Sequence, residues 1–139
     1  MEKKAKLAQR AIDGPVLVED TGIRIAAWNG LPGALTKWFV STVGVEGLCR
    51  MLSAESNRGA TAVTMLGYSN GAKPRLFVGE VRGTVLSQPK GNAGFGWDPI
   101  FRPLESERTF AEMTTQEKDN FSMRKKALDA FRNSGLATF

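Results

Sequence analysis

The 139-residue sequence contains no histidine and a single cysteine, Cys49. Without histidine, the chain cannot use Ser-His-Asp or Cys-His catalysis and cannot form a histidine-ligated zinc site. One cysteine excludes an internal disulfide, which is typical of a reducing compartment such as the cytoplasm. We therefore expect a cytoplasmic protein in which Cys49 packs on a helix. Acid–base chemistry is left to carboxylates, lysines, Tyr68 or a metal-bound water.

The sequence also lacks an apolar run of the roughly 18–20 residues that a membrane-spanning helix needs, so we expect no membrane partner. Its first residues lead into an amphipathic stretch and not into the apolar core of a signal peptide. A hydrophobic fraction of 42% and a charged fraction of 24% are ordinary for a globular protein, and we assign residues 1–139 to one domain. The net charge of +5 favours polyanionic partners, but a solvated basic surface explains it as well.

Hydrophobic periodicity and turn residues predict the elements along the chain. We expect a helix over residues 2–12 and then a strand, Val16-Leu17-Val18, that is covered on both faces. A turn at Asp20-Thr21-Gly22 leads to a strand that resumes at Ile23, and two helices separated at Gly44 follow. Strands over residues 60–68 and 75–85 are joined at Ser69-Asn70-Gly71, and the second is interrupted at a glycine. Thr114-Thr115-Gln116-Glu117 is a candidate capping box for a short helix, and a second helical stretch follows Ser122. This order predicts an α/β (α+β) fold with a mixed central sheet and flanking helices.

Two short strings carry most of the chemical information. The first, Val18-Glu19-Asp20-Thr21-Gly22, places adjacent carboxylates directly after an apolar strand. Magnesium prefers carboxylate and phosphate oxygens, so Asp20 is a candidate metal ligand or proton acceptor. The alternative is an ordinary turn with an Asx hydrogen bond.

The second string, Phe95-Gly96-Trp97-Asp98-Pro99-Ile100-Phe101, combines flexible glycine, aromatic rings and an acid. Aromatic faces can stack on a planar base, an interaction worth on the order of 1–3 kcal/mol that discriminates poorly between bases. An ionised Asp98 can only accept hydrogen bonds, whereas Lys118 and Arg124 can only donate them, which suits a 6-keto purine and disfavours a 6-amino purine. The alternative is a core-packed turn before Pro99.

Both strings occur in a fixed order with four further motifs. These are Leu31-Pro32-Gly33, Lys37-Trp38-Phe39, Thr109-Phe110-Ala111-Glu112-Met113 and Lys118…Ser122-Met123-Arg124. With them, the sequence resembles the inosine triphosphate pyrophosphatase (Ham1-like, non-canonical purine NTP pyrophosphatase) family from Lys4 to about Leu128. The resemblance implies an elongated, two-lobed α/β fold with a central cleft, usually dimeric.

The resemblance also implies roles for individual residues. Asp20 matches the family's metal ligand or general base, with Glu19 as its supporting acid and Mg²⁺ as the cofactor. Lys4 and Lys37 match lysines that face the triphosphate, and Thr21 matches a substrate contact. The purine-binding residues implied are Phe95, Gly96, Trp97, Asp98, Lys118, Met123 and Arg124. Met123 stands where the family has histidine, and since methionine cannot donate that hydrogen bond, we expect weaker selection of keto purines.

In the family, a first strand, a phosphate loop with a lysine and a second metal-binding glutamate precede the position of Lys4. The expectation from this sequence is an N-terminally truncated member in which Asp20 has fewer metal partners. A sheet edge without that strand is a ready site for pairing with another chain, so we expect a homodimer.

Three functions follow as hypotheses. The first is a Mg²⁺-dependent enzyme that hydrolyses ITP, dITP or XTP to monophosphate and pyrophosphate. The second is a truncated, catalytically impaired homologue that binds purine nucleotides. The third is a basic nucleic-acid-binding module, which only the net charge and the aromatic residues favour, and which we rank last.

Overall fold

The computed structural model describes residues 1–136. The helices are α1 (Glu2–Ala11), α2 (Thr36–Met51), α3 (Thr115–Asp119) and α4 (Met123–Asn133), and the strands are β1 (Val16–Ile25), β2 (Gly59–Ser69), β3 (Arg75–Val85) and β4 (Phe101–Pro103). Four 3₁₀ turns lie at Ala26–Trp28, Gly33–Leu35, Asp98–Ile100 and Phe110–Glu112. Within the described chain, no helix is long and apolar enough to cross a membrane.

The strands form one sheet in the order β1-β2-β3-β4, which confirms the α/β class. The sheet is antiparallel, whereas the sequence indicated a mixed one. Successive strands are neighbours, and short connections such as residues 70–74 between β2 and β3 permit only antiparallel pairing. β4 pairs with the end of β3, with Val85 opposite Phe101.

The prediction of a turn at Asp20-Thr21-Gly22 is wrong, because β1 runs without a break through these residues. The physical reason lies at Gly22, where a Cβ would collide with the Gly33 carbonyl and the Thr36 hydroxyl. The glycine therefore permits a close approach of chain segments within an extended strand, and it does not reverse the chain. Leu17 is exposed, so the start of β1 is not covered on both faces as expected.

The interruption expected in β3 is also absent, since Gly79 and Gly83 are both inside one continuous strand. The predicted separation of two helical segments at Gly44 is confirmed: its φ of 70° breaks the regular geometry of α2. The capping box that begins α3 is confirmed as well, because Thr114 and Glu117 exchange side-chain to backbone hydrogen bonds.

The chain groups into two compact units, and β1, β2 and β3 contribute residues to both. Unit 1 comprises Met1–Thr21, Val63–Glu80 and the chain from Met123 onward, and unit 2 comprises Gly22–Ala62 and Val81–Ser122. The core of unit 1 packs α4 on the β2–β3 hairpin through Leu66, Phe77, Ala127 and Phe131. In unit 2, the Trp97, Phe101 and Phe110 rings form an aromatic core with centroids 5.3–6.3 Å apart. Cys49 is buried on α2, as predicted.

Candidate functional site

In unit 1, Glu19 is the centre of a group that we call the Glu19 junction, formed with Lys4 and Arg124. Lys4 Nζ on α1 donates a 2.8 Å hydrogen bond to the Glu19 backbone carbonyl. From α4, Arg124 Nε donates to both carboxylate oxygens of Glu19, at 3.1 and 2.9 Å. Both side chains are substantially exposed. The junction brings together three residues that the sequence had placed at different parts of the site.

Asp20 differs from its neighbour because successive side chains of a strand point to opposite faces. Its carboxylate is exposed and makes no ion pair or hydrogen bond with residues 1–136. The next residue, Thr21, shares a 2.8 Å hydroxyl–hydroxyl hydrogen bond with the buried Thr64 of β2. An exposed carboxylate without a partner can accept a proton or bind a cation, whereas the Thr21 hydroxyl is fixed on the opposite face of the strand.

The acidic residues present suit a cation that is held jointly by the protein and by substrate phosphate oxygens. They do not suit a metal site built from protein ligands alone. Within the described part of the chain, no group of three His, Cys, Asp or Glu residues could hold a metal ion. Magnesium commonly keeps several waters and uses one or two carboxylates together with substrate phosphates. Asp20 fits that single-carboxylate role, whereas Glu19 is already paired with Arg124.

In unit 2, Asp98 organises a second group, the Asp98 clamp, with Phe95 and Lys118. Asp98 is 2% exposed, and its Oδ2 accepts hydrogen bonds from Phe95 N at 3.1 Å and from Lys118 Nζ at 2.6 Å. The ammonium group also lies 4.8 Å from the centre of the Phe95 ring and 5.4 Å from that of Phe110. This geometry is that of a cation–π contact, which holds Lys118 against the loop.

The local backbone explains how this loop closes on Asp98. Gly94 and Gly96 both have positive φ, at 74° and 57°. A Cβ on Gly94 would collide with the Asp98 carboxylate, whereas a Cβ on Gly96 would meet no atom within 4 Å. Gly94 therefore allows the acid to reach back to the Phe95 amide, and Phe95 is left 77% exposed.

Trp97 is not the stacking face that the sequence suggested. It is 7% exposed, and its ring packs edge-on to Phe101 in the core of unit 2. Of the two aromatic residues Phe95 and Trp97, only Phe95 has an exposed ring. Asp98 Oδ2 is likewise occupied by the clamp, so this oxygen does not face a base edge freely.

The remaining predicted residues fall into one unit or the other. Lys37 is exposed at the start of α2 in unit 2, next to the buried Thr36. The Thr36 hydroxyl donates to Gly33 O at 2.6 Å and accepts from Ile23 N at 3.0 Å, which fixes where α2 begins. Met123 is 5% exposed in unit 1, so its side chain belongs to the interior.

Sequence reasoning missed Arg58, which links two separate backbone segments in unit 2. Its guanidinium donates to the carbonyls of Leu52, Val85 and Leu86 at 2.6–2.8 Å. The signal available was slight: a lone arginine between Asn57 and Gly59, just before an apolar strand.

Comparison with known proteins identifies the class to which this fold and these residues belong. The Ham1 family model matches residues 1–134, and the chain belongs to the Ham1 family. This confirms the resemblance drawn from the sequence motifs.

Curated relatives and solved structures agree with that membership. The chain is 41% identical over 128 residues to a dITP/XTP pyrophosphatase of Methanopyrus kandleri, covering 91% of this chain and 68% of the relative. It is 46% identical over 124 residues to an inosine triphosphate pyrophosphatase of Schizosaccharomyces pombe, covering 88% of this chain and 65% of the relative. The Ham1 protein structure from Coxiella burnetii superimposes with a TM-score of 0.87 at 29% identity, covering 95% and 72%. The chain thus spans about two thirds of the length of its curated relatives.

Proposed function

We propose that this protein is a nucleoside triphosphate pyrophosphohydrolase that acts on non-canonical purine nucleotides: ITP, dITP and XTP. The observation that carries the proposal is the family match over residues 1–134, whose relatives include enzymes named for these substrates. The products are a nucleoside monophosphate and pyrophosphate.

Lys4 and Lys37 are the proposed phosphate ligands. The Lys4 ammonium has three N–H donors and uses one on the Glu19 carbonyl, so two remain for phosphate oxygens. Lys37 is exposed and has no hydrogen bond or ion pair with the described residues. Their positive charge stabilises the negative charge that builds on the leaving pyrophosphate.

Asp20 is the proposed proton acceptor. A water oxygen attacks the α-phosphorus, the bond from that phosphorus to the α–β bridging oxygen breaks, and pyrophosphate leaves with the electron pair. The water proton passes to the Asp20 carboxylate, which is available because it has no partner among residues 1–136. We further propose Mg²⁺ as the cofactor, with Asp20 supplying one ligand; when bound, it would neutralise charge on the phosphates.

For the base, Phe95 is the proposed stacking surface and Lys118 and Arg124 the proposed donors. Phe95 is the exposed aromatic of its loop, and Lys118 lies against its ring. Lysine and arginine side chains donate hydrogen bonds and cannot accept them. They therefore favour a 6-keto oxygen over a 6-amino group, which matches hypoxanthine and xanthine. Thr21, Gly96, Trp97, Asp98 and Met123 are proposed to shape the site around these contacts.

The test is pyrophosphate release from ITP, dITP and XTP with Mg²⁺, compared with ATP and GTP. Asp20→Asn preserves shape but removes the proton acceptor, so we expect kcat to fall by about 10²-fold or more. Asp13→Asn, which changes another exposed acid of unit 1, is the matched control and should retain activity. Absence of release from wild type, together with thermal stabilisation by ITP, would instead identify a nucleotide-binding protein without hydrolytic activity.

A further inference from the structure

Unit 2 contains a pocket of about 670 Å³ that the proposed reaction does not use. It lies at the ends of β1, β2 and β3, and we call it the arginine pocket. Its polar lining includes Arg24, Arg58, Arg82, Asn57, Thr61 and Thr84. None of the residues that line it, all within the described chain, is an aspartate or a glutamate. The charged residues of the lining are therefore all arginines.

Arg58 supplies a fixed positive charge to this pocket. Its three protein partners are all neutral backbone carbonyls, so no carboxylate compensates the guanidinium. A guanidinium has five N–H donors, and Nε, Nη1 and Nη2 each use one on a carbonyl, which leaves two. These two remaining donors are held in a rigid orientation, and a rigid fork of this kind suits the oxygens of a phosphate.

The other two arginines stand on β1 and β3. Arg82 is exposed and makes no side-chain hydrogen bond or ion pair with residues 1–136. Arg24 is exposed as well. The partly buried Thr61 and Thr84, which also line the pocket, add hydroxyl donors. The Arg82 side chain, which has no partner in the described chain, is therefore available to a bound anion.

We propose that the arginine pocket is a second, phosphate-binding site for a small phosphate-bearing anion. The volume lies within the range of small-molecule sites and exceeds the space that one inorganic phosphate fills. The two unused donors of Arg58, the Arg82 guanidinium and two hydroxyls offer more donors than a single carboxylate can accept, which favours a ligand with more than one phosphate group. Asp20, Lys37 and the residues of the Asp98 clamp do not line this pocket, and binding there does not require hydrolysis.

Residue-resolved NMR tests the proposal with pyrophosphate in magnesium-free buffer. In wild type, we expect the amides of Gly59, Gly83 and Thr84 to shift along a saturable curve. In Arg24→Gln/Arg82→Gln, the dissociation constant read from these amides should rise by at least about tenfold. Arg10→Gln/Arg50→Gln removes the same charge from exposed positions outside the pocket, and it should leave the curve unchanged.

The Asp20→Asn variant separates this test from the proposed enzymatic activity. It should lose hydrolysis, whereas the amides of its arginine pocket should shift with pyrophosphate as in wild type. A single-stranded ten-nucleotide DNA, titrated in parallel, identifies the source of the phosphate. Shifts with pyrophosphate alone indicate a free anion, and shifts with the oligonucleotide alone indicate a nucleic-acid backbone, with a salt dependence that decreases in Arg24→Gln/Arg82→Gln. If neither ligand shifts the pocket amides, or if the double variant binds as wild type does, the proposal is overturned.

Discussion

At the scale of single residues, Asp98 shows how a buried charge can order a binding loop. Its carboxylate is nearly inaccessible, and both Lys118 and the Phe95 amide donate to the same oxygen. Burying an ionised acid is unfavourable unless it is paired and hydrogen-bonded, and here it is both. The pair thereby fixes the loop on which the exposed Phe95 stands.

Gly94 and Gly96 allow this arrangement to be tested with two matched substitutions. Alanine at either position must adopt a positive φ, which costs roughly 1–2 kcal/mol. Gly94→Ala additionally pushes its Cβ into the Asp98 carboxylate, so we expect it to lower the free energy of unfolding by about 1–3 kcal/mol more than Gly96→Ala. Urea unfolding of both variants measures the difference. Equal losses would show that the carboxylate does not need this space.

Cys49 gives a prediction for the pH dependence of stability. Burial raises the pKa of its thiol, and the nearby Arg58 charge partly opposes this. The thiol form is thus favoured in the folded state, and the stability it contributes is present below the unfolded-state pKa and is lost as the pH rises towards the folded-state value. We expect the stability difference between wild type and Cys49→Ala to shrink between pH 7 and pH 10. A difference that stays constant in urea unfolding would contradict this.

At the scale of secondary-structure elements, helix α4 depends on the absence of a side chain on β3. A Cβ at Gly79 would collide with the Met123 carbonyl and come within 2.8 Å of Ala127 N. Those backbone atoms belong to α4, which also packs Ala127 and Phe131 on Leu66 and Phe77. The glycine therefore sets how closely the helix lies on the hairpin.

Gly79→Ala should displace α4 and lower the free energy of unfolding by about 1–3 kcal/mol or more. The loss should appear in urea unfolding, and the Tyr68–Phe131 and Phe77–Phe131 ring contacts should loosen in near-UV circular dichroism. Val78→Ala, at the adjacent and 44% exposed position, is the control. An equal, small effect of the two substitutions would show that α4 tolerates the extra methyl group.

The elements show which patterns a sequence reveals and which it conceals. Helix α1, the hairpin and the Thr114 capping box could be predicted because their signals are local periodicity, turn residues and side-chain caps. The turn predicted at Gly22 was wrong because the sequence does not distinguish a glycine that allows another chain segment to approach closely from a glycine in a turn. Trp97 misled the prediction in a similar way, because sequence does not distinguish an aromatic core residue from a stacking surface.

The residues of the candidate site were predictable only through ordered motifs. The partners they find in the structure were not, since Glu19 and Arg124 are far apart in sequence and no periodicity links them. Arg58 was missed for the same reason, because its three carbonyl partners come from two separate segments. Every residue has a backbone carbonyl, so the sequence does not indicate which carbonyls will accept these hydrogen bonds.

At the scale of the whole molecule, β1 lies at an edge of the described sheet. Edge strands present unpaired backbone groups that another chain can pair with. We propose a homodimer that uses this edge, so light scattering at micromolar concentration should give about twice the 15.1 kDa chain mass. Leu17→Lys, which places a charge at an exposed position of β1, should shift the population towards monomer. Val78→Lys, at an exposed position of the inner strand β3, should not.

The proposed nucleotide contacts Arg124 and Lys118 each have a carboxylate partner in the structure, Glu19 and Asp98 respectively. A nucleotide whose keto oxygen engaged these cations would replace a carboxylate oxygen with a neutral one, and it would not neutralise bare charges. When the product departs, Glu19 and Asp98 are in place to take the cations back. In the proposed reaction, this competition between the carboxylates and the nucleotide would favour release of the product over tight retention.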